Sequence, residues 1–282
     1  MIELAAVFAV AGAASNAAGT AFQRKAASAS RRGGLRLLGE LARRPAWVLG
    51  MAGVIGAAVC QSLALVNGPL ALVQPLFILE LPFALLIAGP LMHRRLPRWG
   101  WWGVGGVVVG LGVLLAAAAP HGATDQAGMV RWVPALALCL GGMATMVLLA
   151  GRGRPAARRA ALLAAASATG NALTAALLKS ATGTFADDGF TAFLRSWQTY
   201  GFALAGAASV LLLENALQAG PLAAAQPALT IGDAVVSLAL GITLFDERIR
   251  TGWWLLPSVC GAVLIVVGVV VLSRAVQRIR GR

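Results

Sequence analysis

Apolar runs of about 20 residues follow one another along this chain, each closed by glycine, proline or arginine. They predict helices at 2–22, 46–66, 70–91, 99–119, 130–150, 160–180, 197–216, 222–244 and 252–273. At about 1.5 Å per residue, each run matches the ~30 Å hydrocarbon core of a bilayer. A membrane barrel would instead alternate over segments of about ten residues. Backbone polar groups in lipid must find partners locally, so the runs are helices. The expected fold class is an all-α polytopic membrane protein of about nine transmembrane helices, one domain over 1–282.

Composition agrees with this pattern. The chain is 59% apolar and 12% charged, with mean hydropathy +0.80, where a soluble domain is near half apolar and a quarter charged. The net charge of +13 does not indicate a nucleic-acid partner, because 18 of the 23 basic residues lie in four short segments between or after the runs. These are Arg24, Lys25, Arg31, Arg32, Arg36, Arg43 and Arg44; Arg94, Arg95 and Arg98; Arg152, Arg154, Arg158 and Arg159; and Arg274, Arg278, Arg280 and Arg282. With nine helices all four fall on one side, which the positive-inside rule makes cytoplasmic. The other side receives Glu3, Asp125, Asp187, Asp188, Asp246 and Glu247, with Arg131, Arg195, Arg248 and Arg250 as a thin basic remainder. The expected location is the cell (plasma or inner) membrane, with the N-terminus outside and the C-terminus cytoplasmic. Glu3 before the first run and Arg24-Lys25 after it reverse the charge order of a signal peptide, so that run is expected to be a retained helix. Cys60, Cys139 and Cys260 all sit within runs and read as packing residues.

The pattern also repeats. Ala64–Leu85 slides onto Ala216–Ser237 at a constant offset of 152, matching Ala-Leu, Gly-Pro-Leu-Ala and Gln-Pro. Further on, Gly89 falls on Gly241, Arg98 on Arg250, and Gly100-Trp101-Trp102 on Gly252-Trp253-Trp254. The offset carries the third run onto the eighth. Five spans is an odd number, so the copies enter the membrane in opposite directions. This predicts an inverted-topology repeat, about 2–119 against 160–273, with 130–150 as the connecting helix. Asn16, Thr20 and Lys25 echo Asn171, Thr174 and Lys179 in order and approximate spacing. Inverted repeats recur in secondary transporters, where two similar halves open a central site to either side in turn.

Three carboxylates lie within spans: Glu80, Glu214 and Asp233. A charge at membrane depth costs a few kcal/mol and normally faces a cavity or a partner. Glu80 and Asp233 fall near mid-span, and Glu214 within a turn or so of the cytoplasmic end. Gln226, Thr230, Asp233 and Ser237 are spaced four, three and four, one face of a helix. The matching positions in the third run are Gln74, Ile78, Leu81 and Leu85, with Glu80 rotated about 100° away. Asp233 is therefore the first candidate for binding substrate or proton, and the eighth run the expected wall of the cavity. Gln61, Asn67, Asn16, Thr20, Asn171 and Thr174 could line it too, or hydrogen-bond between helices. Pro75 and Pro227 sit in first turns, while Pro82 and Pro257 lie deeper, where a kink near Glu80 would free a carbonyl.

Gly106 and Gly110 have small-xxx-small spacing, suited to packing inside the monomer or to a homodimer. The Trp pairs begin spans, where aromatic belts belong. A P-loop, a clustered His/Cys set and a nucleophile motif are all missing. His93 and His121 lie in loops on opposite sides. An ATP-driven pump, a metalloenzyme and an intramembrane enzyme are disfavoured, no cofactor is expected, and no metal ligands can be assigned.

The repeated Gly-Pro-Leu-Ala-x-x-Gln-Pro block, the turns His93-Arg94-Arg95 and Asp246-Glu247-Arg248, and the Gly-rich spans after them resemble the drug/metabolite transporter (DMT) superfamily with its EamA-like halves. The resemblance covers nearly the whole chain. EamA-type members commonly have ten helices, and this chain lacks the tenth. The nine-helix count, Gly19–Lys25 and Phe245-Asp246-Glu247 are also similar to the NIPA-type magnesium transporters, which are expected to carry an acid early in the second helix, where this chain has Ala58 and Cys60. The superfamily implies alternating-access export or exchange of a small metabolite or drug; for a proton-coupled cycle, Asp233 is the candidate carrier. The NIPA-like alternative implies divalent cation transport, in which one or two carboxylates with Gln226, Thr230 and Asn side chains would suffice for magnesium. A non-transporting membrane subunit or scaffold is the reading from a different class.

Overall fold

The computed structural model describes residues 2–28, 45–91, 97–122, 124, 126–151 and 153–280. Arg31, Arg32, Arg36, Arg43, Arg44, His93, Arg94, Arg95, Asp125, Arg152 and Arg282 lie outside them, as do the side chains of Arg24, Arg278 and Arg280. The described residues form α1 (Ile2–Ser28), α2 (Pro45–Asn67), α3 (Leu70–Phe77), α4 (Glu80–Leu91), α5 (Gly100–Ala118), α6 (Met129–Leu149), α7 (Ala156–Arg195), α8 (Trp197–Ala219), α9 (Leu222–Phe245) and α10 (Leu255–Arg280). A 3-10 turn, Gly252–Trp254, leads into α10. Nine spans among them, α3 and α4 together making one, are long and apolar enough to cross a membrane. The chain is thus an all-helical, multi-pass membrane protein. Among the described residues β pairing is limited to an isolated bridge between His121 and Arg248.

Two elements differ from the periodicity. The third span is broken at Ile78-Leu79. Pro82 has no N–H for Ile78 O, its i−4 partner, and its ring crowds that carbonyl. Leu81 N takes Ile78 O at 3.2 Å instead, and Ile78 N and Leu79 N make tight i−3 bonds to Pro75 O and Leu76 O, both 3.1 Å. The sixth span runs beyond 180 to Asp188, where Gly189 at φ 81° turns the chain before a last helical turn to Arg195. The polar Thr-Gly-Thr-Phe-Ala-Asp-Asp stretch hides this extension from hydropathy.

Small residues bring the helices together, as expected where lipid supplies no hydrophobic drive between them. Ala5, Ala9, Ala13, Ala17 and Ala21 are all buried on one stripe of α1, which packs along α2. Ser15 Oγ donates to Gly53 O across that contact at 2.8 Å. The second half packs alike: α7 lies along α8, and Ser167 Oγ donates to Ser209 O at 2.8 Å. α1 also packs on α4, and α7 on α9. α5 and α10 join the two halves through glycines: a Cβ on Gly110 would lie 2.7 Å from Gly261 O, and one on Gly268 2.8 Å from Gly103 O. Gly106 faces the same contact, its Cβ position 3.4 Å from Gly268 Cα. Gly106 and Gly110 thus pack within the chain.

One end of the bundle, the N-terminal end, gathers the start of α1, the α2–α3 break, the 119–128 loop, the end of α7 and the 246–251 loop. Gly68 touches Ala5 there, the backbones of His121 and Arg248 exchange two 2.9 Å bonds, and Thr124 N reaches Phe245 O at 2.9 Å. Trp132, Trp197 and Phe245 pack edge to face beside them.

Candidate functional site

α9 carries the polar stripe. Pro221 is its extended N-cap, and Pro227 lies inside the helix in its second turn, with no N–H to give Ala223 O, its i−4 partner. Thr230 and Ser237 are buried, and Gln226 and Asp233 half-buried. Asp233 lies about 16 Å along the helix from Leu222. Its Oδ1 and the Oγ of Ser237, one helical turn further on, are enclosed without a hydrogen-bond partner. The neighbouring Gly232 packs so tightly on α7 that a Cβ there would come within 2.8 Å of the Ala168 Cβ. A carboxylate acceptor and a hydroxyl one turn further on, both unsatisfied at mid-span, can take a proton or a polar group of a ligand, since a buried polar group without a partner is costly to keep.

The other sequence candidates are dispersed. Gln74 is buried on α3, and Glu80, half-buried, opens α4 directly after the break. Asn171 is half-buried on α7, where its Oδ1 accepts the Ser209 hydroxyl at 2.8 Å. Asn16 is half-buried on α1. Glu214 is exposed on α8. Thr20, Asn67 and Thr174 bond carbonyls of their own helices, Ala17 O at 3.1 Å, Leu63 O at 2.8 Å and Gly170 O at 2.7 Å. Gln61 is half-buried. Among the described residues no group of three His, Cys, Asp or Glu could hold a metal ion.

A second buried polar cluster sits at the N-terminal end, and sequence reasoning missed it. Glu247, counted above among loop acids, is only 2% exposed, and Lys179 1%. Leu70 N–H donates to Glu247 Oε1 at 2.5 Å and Ala71 N–H to Oε2 at 2.9 Å, so the carboxylate caps the first turn of α3. Lys179 Nζ donates to Leu65 O at 3.0 Å, in the last turn of α2, and to Gly68 O at 2.8 Å, just beyond it. It also lies 5.4 Å from the centre of the Phe245 ring. Local geometry at the end of α9 aims Glu247 inward. Asp246 takes the left-handed conformation at φ 52°, and Glu247 N–H returns to Gly241 O at 3.1 Å, a Schellman-type closure. Gly241 has no side chain, and the carboxylate occupies the place where its Cβ would be. Burial pushes the Glu247 carboxyl above its ordinary range, against the downward pull of the two N–H bonds and the Lys179 charge. The available signal was the Gly-Pro break itself: a helix started by proline inside a bundle leaves N–H groups that need an acceptor.

The chain is 28% identical over 278 residues to an uncharacterized protein of Corynebacterium glutamicum, a match spanning 96% of this chain and 95% of that one. No family model matches the chain, and no solved structure does.

Proposed function

We propose that the chain is a secondary active transporter, moving a small metabolite or drug by alternating access between two inverted halves, with Asp233 as the coupling carboxylate. The observation that carries this reading is the enclosed, unpartnered Asp233–Ser237 pair at the middle of an apolar span. The repeat supports it. Ser15 and Ser167 differ by the same 152 that relates the Gly-Pro-Leu-Ala blocks, and each donates to a carbonyl of the span that follows. Gly68 rests on Ala5 at the start of α1, and Gly220 rests on Ala156 and Ala160 at the start of α7. Matching contacts at opposite ends of the bundle are what a duplicated, inverted unit would make. The charge bias of the loops sets the N-terminal end outside and the basic end in the cytoplasm of a cell (plasma or inner) membrane. The membership this reading implies is in the drug/metabolite transporter superfamily.

The test is flux in proteoliposomes against a panel of metabolites, cationic drugs and magnesium. The wild type is expected to move at least one with a rate that changes with pH. Asp233→Asn, which keeps the shape but cannot ionise, is expected to remove that pH dependence with the thermal melt retained. Unchanged pH dependence in the folded variant discards Asp233 as the coupling group. Magnesium as the sole cargo would select the divalent-cation alternative, and no flux from a folded protein would favour the non-transporting subunit.

A further inference from the structure

Glu247 and Lys179 both belong to the second half of the chain, and every backbone group named above as their partner, Leu70 N, Ala71 N, Leu65 O and Gly68 O, belongs to the first. They close a seam between the halves. We propose that this pair is the gate at the N-terminal end of the bundle, a two-headed clamp that must release both sides of the α2–α3 break for that end to open; the inference rests on the transport reading above.

Three observations carry it. First, the clamp is not needed to build either half. Within each half the helices are held by small-residue contacts, such as Ser15 on Gly53 and Ser167 on Ser209, whereas these Glu247 and Lys179 bonds to backbone run between halves. Second, the clamp sits with other contacts across the same seam: α3 packs on α7 and α9, and the His121–Arg248 bridge joins the 119–128 loop to the 246–251 loop. α4, the continuation of α3 beyond the break, packs on α1 in its own half. Third, the sequence does not repeat the clamp at the other end. The offset of 152 sets Arg95 at the place of Glu247, and a guanidinium cannot accept the N–H groups that open α9. Lys25, the counterpart of Lys179 in the sequence echo, is exposed. The sequence therefore carries the acceptor half of the clamp, Glu247, into one repeat and not the other. Two side chains of one half thus hold both sides of one break in the other, an arrangement that is either made or broken, as a gate requires.

The test reads opening directly. In the full chain with Cys60, Cys139 and Cys260 replaced by alanine or serine, Ala71→Cys adds a thiol at a site now 6% exposed, beside the clamp. The protein is held in lipid nanodiscs and labelled with a charged maleimide. Glu247→Gln removes the charge, and Gly241→Ala pushes the carboxylate aside without removing it. Each is expected to raise the labelling rate of the thiol introduced at position 71 about tenfold or more, with the melting transition retained. Lys179→Arg, which keeps charge and donors, is expected to label at the parent rate. Parent-rate labelling in folded Glu247→Gln and Gly241→Ala overturns the gate. So does loss of the fold in both, which would make the clamp a structural staple. Labelling requires no substrate, so accelerated labelling with no flux in any proteoliposome upholds an opening end and sinks the transport reading instead.

Discussion

Asp246 and Glu247 are adjacent in the chain and lie in different dielectric worlds. Asp246 meets Arg131 at 2.6 Å with both side chains about half exposed, a geometry in which an ion pair contributes roughly 0–1 kcal/mol. Glu247 is enclosed, its two oxygens taken up by the Leu70 and Ala71 N–H groups rather than by water. Ser209 shows the same logic without charge. Its hydroxyl reaches Asn171 Oδ1 at 2.8 Å, and its carbonyl accepts from Ser167 at 2.8 Å. Ser209→Ala removes the first bond and keeps the second. It is expected to lower stability by about 1 kcal/mol in equilibrium unfolding from mixed micelles, the scale of interhelical hydrogen bonds in membranes. Asn171 was legible in the sequence as a polar residue in an apolar span. Its partner on another helix was not, because hydrogen-bond pairing depends on helix rotation.

The elements of this fold are set by apolar length and by proline and glycine, but their contacts are set by which glycines face a neighbour. α5 illustrates this in one sequence, Gly-Val-Gly-Gly-Val-Val-Val-Gly-Leu-Gly. Gly103 and Gly110 touch α10 closely, whereas a Cβ on Gly105 or Gly112 would meet nothing within 4 Å. Gly110→Leu is expected to force α5 and α10 apart and to destabilise by about 1–3 kcal/mol or more. Gly112→Ala is expected to be neutral or to stabilise by up to about 1 kcal/mol through helix propensity. Thermal melts of the two variants in the same detergent decide this, and equal losses would refute the rotation of α5. The broken third span belongs to this scale as well. Pro82 marked a kink beforehand, and the structure adds that Glu80 begins a separate helix packed on α1.

For the whole molecule, orientation is the property most open to direct measurement. A C-terminal fluorescent-protein fusion is expected to glow and a C-terminal alkaline-phosphatase fusion to be inactive, because the positive-inside rule predicts a cytoplasmic side for the basic tail. The opposite pattern would invert the assignment of the gate to the outer face. The sequence by itself determined the helical class, the nine spans and the internal match at an offset of 152, the spans because bilayer thickness and backbone hydrogen bonding leave an apolar run of this length few alternatives. It also determined that Gln226, Thr230, Asp233 and Ser237 share a face, because helical periodicity is local. Only the tertiary structure decided which oxygens of that face stay unpartnered, and that Glu247 turns inward to cap a helix 177 residues earlier. Those outcomes depend on distant segments meeting at angstrom distances, as where α3 brings Glu247 two N–H groups and α7 brings it the Lys179 charge.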